Sequence, residues 1–277
     1  MTRKFQHPLI KYIRPRALPS PHCPGCGDGV IAQCILRAID ELKLDFKKIV
    51  FASGIGCAGW IPSPLFNSDV IHTPHGRPIA FATGVKLAKP ELNLVVVSGD
   101  GDLTAIGGNH LIHAARRNIG LMVICVNNFI YAMTGAQAAP TTPFGLKTDT
   151  TPYGNPEHPF DLCKLVEGAG GSYVARWATI HVRQLVRSIK KGLQRKGFAF
   201  IEVISPCPVR YGPLLDMRKP TEMIEWLRNI TVTREKARNL TPQELGQRIT
   251  VGEFADRRIP ELTEQHRLTG EGENGQS

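Results

Sequence analysis

Gly99-Asp100-Gly101-Asp102 ends one apolar run of the sequence and Asn127-Asn128 ends the next, with Asn128 lying 28 positions beyond Asp100. A carboxylate at one strand end and a carboxamide at the neighbouring one supply oxygen ligands for an octahedral Mg²⁺, and backbone carbonyls complete such a set. Adjacent glycines let the backbone approach phosphate oxygens. Either turn alone is commonplace, but the two at this spacing, with a helix and a strand between them, form a specific pattern. A second set consists of thiols. Cys23-Pro-Gly-Cys26 places two in one tight loop, and Cys57 and Cys207 arrive singly. Four thiolates suit a [4Fe–4S] cluster or a structural Zn²⁺. The loop alone looks like a zinc knuckle, yet zinc ribbons supply a second close cysteine pair and this sequence has none. Cys34, Cys125 and Cys163 fall within predicted helices and a strand and read as small buried hydrophobes. His75, in His72-Thr-Pro-His75-Gly-Arg77, is a candidate to hydrogen-bond a cofactor or substrate. His72, His110, His113 and His158 have no spacing that marks them for chemistry.

The elements that must position these groups alternate along the chain. Short apolar runs at 48–52, 94–98, 121–126, 172–175 and 199–204 are separated by helical patterns at 30–42, 79–89, 109–117, 161–168 and 180–196. Unalternating runs such as Leu94-Val-Val-Val and Leu121-Met-Val-Ile-Cys-Val126 are expected of strands covered on both faces. The pattern predicts an α/β fold with a doubly wound, mostly parallel sheet, in which ligands bind at the carboxyl ends of the strands. Cys57, Asp100, Asn128 and Cys207 each follow a predicted strand, so they converge on one composite site. Residues 1–22, rich in proline, read as an extended lead-in. Residues 23–215 form the α/β unit, with a long loop over 132–159 that marks function. Residues 216–277 read as a peripheral helical and irregular extension ending in a frayed tail at 270–277.

Composition excludes several classes. Of the 277 residues, 42% are hydrophobic and 21% charged, an ordinary globular balance. No apolar run approaches the roughly 20 residues that cross a bilayer, and Met1 to Lys11 is basic without an apolar stretch, so a cytoplasmic protein is expected. Seven cysteines, an odd number, argue against a disulfide framework. The net charge of +10 attracts anionic partners, but no nucleic-acid motif accompanies it.

The Gly99-Asp100-Gly101 to Asn127-Asn128 pattern resembles the thiamine-diphosphate signature. More closely, Cys23-Pro-Gly-Cys26-Gly, Gly54-Ile-Gly-Cys57, His75-Gly-Arg77, Gly99-Asp-Gly-Asp102, Arg116-Arg-Asn118, Asn127-Asn-Phe-Ile-Tyr-Ala-Met-Thr-Gly135 and Pro206-Cys207 resemble the β subunits of the 2-oxoacid:ferredoxin oxidoreductases. These stretches run in order over about three quarters of the chain. The resemblance implies Mg²⁺ bound by Asp100, Asn128 and the carbonyl of Ile130, and thiamine diphosphate against Ile55, Gly56, Cys57, Ala58, His75, Gly101, Asp102, Ala132 and Met133. It implies one [4Fe–4S] cluster on Cys23, Cys26, Cys57 and Cys207, and His75 as a catalytic group. It further implies coenzyme A-dependent oxidative decarboxylation of a 2-oxoacid, or the reverse carboxylation, with ferredoxin as electron partner. An α subunit would supply the pyrimidine-binding domain in a dimer of αβ heterodimers. The segment around Met223-Ile-Glu-Trp226 is similar to the 2-oxoglutarate type. Position 136 departs from the family pattern, carrying Ala where a second Gly is usual, and Trp60 lies where relatives vary. A non-redox thiamine enzyme with zinc in the cysteine site, and a non-catalytic metal-binding module, are the other readings.

Overall fold

In a computed structural model, which describes residues 7–246 and 248–265, the chain folds as α1 (Asp28–Glu41), β1 (Ile49–Ser53), β2 (Asp69–His72), α2 (Pro78–Ala88), β3 (Asn93–Gly99), α3 (Gly108–Arg117) and β4 (Leu121–Asn127). The hairpin β5 (Ile130–Tyr131) and β6 (Gln137–Ala138) follows, then α4 (Leu162–Gly168), β7 (Tyr173–Ala178), α5 (Val182–Gln194) and β8 (Ala199–Ile204). The C-terminal part holds α6 (Tyr211–Leu214), α7 (Pro220–Ile230), β9 (Thr231–Thr233), α8 (Arg234–Ala237), α9 (Pro242–Leu245) and β10 (Ile249–Asp256).

Eight described strands make one sheet in the order β2-β1-β3-β4-β8-β7-β10-β9. From β2 to β7 every neighbour pair is parallel. The mostly parallel α/β sheet is therefore as the sequence pattern requires. The four central strands β1, β3, β4 and β8 are buried almost throughout, because helices cover both faces. One apolar layer joins Ile31, Ile35 and Ile39 of α1 and Leu185 and Ile189 of α5 to Phe51, Val95, Ile124 and Ile201. The other joins Ile79 of α2, Leu111 of α3 and Leu162 of α4 to Val96, Val123 and Phe200. On α5 the buried residues Leu185, Val186 and Ile189 recur at three- and four-residue intervals, so its apolar stripe faces the sheet and its basic side faces out.

Two expectations change, and one strand, β2, has no counterpart in the sequence pattern. Residues 8–17 are not extended: Pro8–Tyr12 and Pro15–Ala17 are 3-10 turns with proline at their first position, where its fixed φ suits a helical start and its missing N–H costs nothing. The edge strand β2 has only partly buried or exposed residues and carries no apolar alternation. Residues 249–256, expected in a peripheral extension, instead form β10, which pairs antiparallel to β7 in the main sheet. The tail at 270–277 lies outside the described residues. Among the described residues no helix is long and apolar enough to cross a membrane.

Because β1, β3, β4 and β8 are parallel, their carboxyl ends share one edge. Ser53 leads to Cys57, Gly99 to Asp100, Asn127 to Asn128 and Ile204 to Cys207. Asn118 of the Arg116-Arg-Asn118 stretch belongs to the framework. It ends α3 in the left-handed conformation at φ +51°, its side-chain Oδ1 accepts from the Ser172 hydroxyl and the Phe198 N–H, and its side-chain Nδ2 donates to the carbonyls of Ile259 and Pro260.

Candidate active site

Asp100 stands at the end of β3, 2% exposed. Its carboxylate accepts from the Thr141 hydroxyl and from the backbone N–H groups of Gly101 and Asn128, so the two predicted ligands from neighbouring strands are adjacent. Burial nevertheless pushes the carboxyl up to about 7: these hydrogen bonds and that of its own backbone N–H do not replace the hydration lost. A buried carboxylate short of a counter-charge, with the Asn128 carboxamide and the Ile130 carbonyl on the same turn, fits a hard divalent cation. The turn is tightly specified. Asn128 Oδ1 accepts from the Ile130 N–H (3.2 Å), Asn127 Oδ1 from the Phe129 N–H (2.9 Å), and Phe129 between them has φ +69°. Asn127 is itself held from below, donating to buried Glu202 (2.8 Å), which pairs with Arg176 Nε (2.7 Å). Gly101 has no alternative: a Cβ there would lie 2.3 Å from the Tyr131 ring, whose hydroxyl donates to the Gly101 carbonyl.

Asp102 and His75 form the second part. His75 Nδ1 lies 2.5 Å from Asp102 Oδ1, and the His75 ring meets Tyr131 edge-on at 6.0 Å between centroids. Asp102 also accepts from the N–H of Ile55 (3.1 Å), so residues 55, 75, 102 and 131 surround one region. Ile55 and Met133 are exposed there, Gly56 turns at φ +127°, and Ala58 and Ala132 are buried beneath. The neighbouring Ala136 holds φ +84°, a conformation that glycine adopts freely and alanine does not.

The four cysteines meet at the same edge. The Cys23 carbonyl accepts from the Cys26 N–H (3.0 Å), closing a turn in which Gly25 has φ +79°. The Gly27 N–H donates to the Pro206 carbonyl (3.1 Å), and a Cβ on Gly27 would strike Ser205, so this loop seats directly on the segment leading to Cys207. Cys26, Cys57 and Cys207 feel one another's charge, and Cys57 and Cys207 feel Cys23; burial above all raises Cys26 strongly, Cys57 to about 11, and Cys207. Such thiols stay protonated unless a cationic centre takes them. Tetrahedral zinc at a Zn–S distance of roughly 2.3 Å would draw its sulfurs to about 3.8 Å apart. Cys34, Cys125 and Cys163 are buried within the fold.

Sequence spacing did not single out five contributors. Thr141 lies in the long loop 41 positions from Asp100, and only folding brings its hydroxyl there. Arg176 and Glu202 look like ordinary strand residues until β7 and β8 pair. His22 and Asp28 flank the cysteine loop, with Nδ1 3.4 Å from Oδ2 and both side chains buried; with Cys26 they bring one ligand atom each within 4.8 Å. The adjacency of His22 to Cys23 was the available signal.

An acidic-and-carboxamide turn lies at the carboxyl edge of a doubly wound sheet, with four cysteines nearby, and comparison with known proteins defines the class as a thiamine-diphosphate-binding subunit. Residues 41–203 match the family described as thiamine pyrophosphate enzyme, C-terminal TPP binding domain. The chain is 53% identical over 263 residues to the 2-oxoglutarate synthase subunit KorB of Methanocaldococcus jannaschii, covering 95% of this chain and 97% of that one. It is 50% identical over 260 residues to the subunit of that name from Methanothermobacter marburgensis, covering 94% and 91%. A solved structure of the 2-oxoglutarate:ferredoxin oxidoreductase from Magnetococcus marinus, with 2-oxoglutarate, coenzyme A and succinyl-CoA bound, superposes with a TM-score of 0.85 at 29% identity, over 99% of this chain and 93% of that chain. The chain belongs to the β-subunit family of the 2-oxoacid:ferredoxin oxidoreductases, on its 2-oxoglutarate synthase branch.

Proposed function

We propose that this chain works with an α subunit in the coenzyme A-dependent oxidative decarboxylation of 2-oxoglutarate, or the reverse carboxylation of succinyl-CoA, with electrons leaving through one [4Fe–4S] cluster to ferredoxin. The observation that carries the reading is the meeting of the Asp100–Asn128 turn and the four cysteines at one sheet edge. When bound, thiamine diphosphate supplies the electron sink for decarboxylation and the cluster a one-electron route onward. Asp100, Asn128 and the Ile130 carbonyl hold Mg²⁺ and through it the diphosphate. Ile55, Gly56, Cys57, Ala58, Gly101, Asp102, Ala132 and Met133 enclose the cofactor, and His75 presents its imidazole to the reacting end. Cys23, Cys26, Cys57 and Cys207 hold the cluster. The exposed apolar side chains of Ile55, Trp60 and Met133 suit burial against the α subunit, in a dimer of αβ heterodimers. The net charge of +10 suits an acidic ferredoxin, and a cytoplasmic setting keeps the thiols reduced.

Electron paramagnetic resonance of the anaerobically purified complex tests this. A cluster or radical signal is expected on adding 2-oxoglutarate with coenzyme A, and none with pyruvate. Signal with pyruvate alone would replace the substrate. No iron signal even after dithionite, with zinc present, would replace the cluster and leave a non-redox thiamine enzyme.

A further inference from the structure

Asp102 carries four hydrogen bonds on two oxygens and ties three segments together. Oδ1 accepts from the N–H groups of Ile55 (3.1 Å) and Gly76 (2.7 Å) and from His75 Nδ1 (2.5 Å), while Oδ2 accepts from the Ser98 hydroxyl (2.8 Å). The Asp102 side chain is 1% exposed. Gly54 closes its remaining side, where a Cβ would sit 2.0 Å from Oδ2. The carboxylate therefore has no free approach for a ligand. His75 is the reverse: its side chain is 38% exposed, its engaged nitrogen is Nδ1, and among the described residues Nε2 has no hydrogen-bond partner. Asp102 also opens a π-turn through Ile106, a local widening of the helix that re-aims side chains.

We propose that Asp102 is a positioning residue that acts through His75 and does not touch the cofactor with its side chain. Its carboxylate holds the imidazole as the Nδ1–H tautomer, and Tyr131 braces the ring edge-on, so that Nε2 stands on the open edge beside the Asp100–Asn128 turn as a hydrogen-bond acceptor for substrate or cofactor. The general logic is that of a carboxylate fixing the tautomer of a working histidine. This inference rests on the proposed function, because it gives His75 its task there.

The test uses the assembled complex with Asp102→Asn, His75→Gln and the double variant. Asparagine keeps the shape of Asp102, and its amide can meet the Ser98 hydroxyl. Thiamine diphosphate affinity with Mg²⁺ is expected to stay within about threefold in all three. Each single variant should lower kcat by about tenfold or more with KM held within about threefold. The double variant should be no slower than His75→Gln alone, because one residue works through the other. A tenfold loss of cofactor affinity in Asp102→Asn, or effects that multiply in the double variant, would overturn the proposal. Nitrogen-15 spectra of histidine-labelled wild-type complex read the tautomer without turnover. Protonated Nδ1 with bare Nε2 supports the proposal, and a protonated Nε2, with or without a proton on Nδ1, refutes it. A wild-type complex that binds thiamine diphosphate yet oxidises no 2-oxoacid would sink the proposed function, while the tautomer would still decide the role of Asp102.

Discussion

Arg176→Met is the perturbation whose consequence can be worked furthest. Arg176 is 6% exposed, and its guanidinium donates through Nε to Glu202 (2.7 Å), through Nη2 to Asp161 (2.5 Å) and through Nη1 to the Thr250 carbonyl (3.3 Å). Methionine matches the stem but leaves Glu202 buried and without its cation. Removing one partner of a buried ion pair costs about 3–5 kcal/mol, because the remaining charge is neither hydrated nor compensated. With an unfolding entropy of roughly 2.1 cal/mol/K per residue, a chain of 277 residues loses about 1 °C of Tm for every 0.6 kcal/mol. The expected fall is thus about 5–8 °C by scanning fluorimetry. The loss reaches the site along Glu202, Asn127 and the Phe129 N–H, so the affinity for Mg²⁺ and thiamine diphosphate falls as well. Arg176→Met with Glu202→Gln should recover part of the stability, since the amide carries no charge and still accepts from Asn127; coupling between contacting residues runs to about 0.5–3 kcal/mol. A drop below about 2 °C in the single variant, or a double variant less stable than the single, would refute the reasoning.

Four further outcomes follow from the site. Because Asp100 has a pKa of about 7 without metal, protons compete with Mg²⁺ below that pH. Affinity, read by calorimetry, should fall by up to about tenfold per unit below pH 7 and level off above it. The same raised carboxyl favours the metal-free fold below about pH 4 and ceases to do so as pH rises through about 7, so the Tm gained on adding Mg²⁺ with thiamine diphosphate should be larger at pH 8 than at pH 6. Ala136→Gly should leave stability within about 1 kcal/mol by urea titration: relief of a positive φ is worth about 1–2 kcal/mol, but the loss of a buried methyl, about 0.8 kcal/mol, and the freer unfolded chain, about 0.4–1 kcal/mol, offset it. Replacing Cys23 or Cys207 by Ser should abolish bound iron and sulfide measured chemically, while Cys34→Ser should retain both, since Cys34 is buried on α1 away from the loop. Iron retained in Cys207→Ser would remove that residue from the ligand set.

The sequence alone determined the alternation of strands and helices and the residues at the strand ends, for a local reason. Buried parallel strands must be continuously apolar, as in Leu94–Val97, and a chain leaving such a strand must turn where Gly99-Asp100-Gly101 and Asn127-Asn128 stand. Cys57, Asp100, Asn128 and Cys207 could be assigned to one edge because parallel strands put all carboxyl ends on the same side. β10 was illegible because its burial mixes exposed and buried residues and a Gly252 at φ +142° interrupts it; only pairing with β7 makes it a strand. Thr141 reached Asp100, and Arg176 reached Glu202, through folding of residues far apart in the chain, which no periodicity records. The same holds for Asp102: its motif marks it as a cofactor neighbour, but the closure of Gly54 and the convergence of Ile55, Gly76, His75 and Ser98 on its oxygens decide what it touches. Sequence spacing encodes which side chains leave a strand end together, whereas burial and the sharing of lone pairs among distant donors are properties of the packed structure.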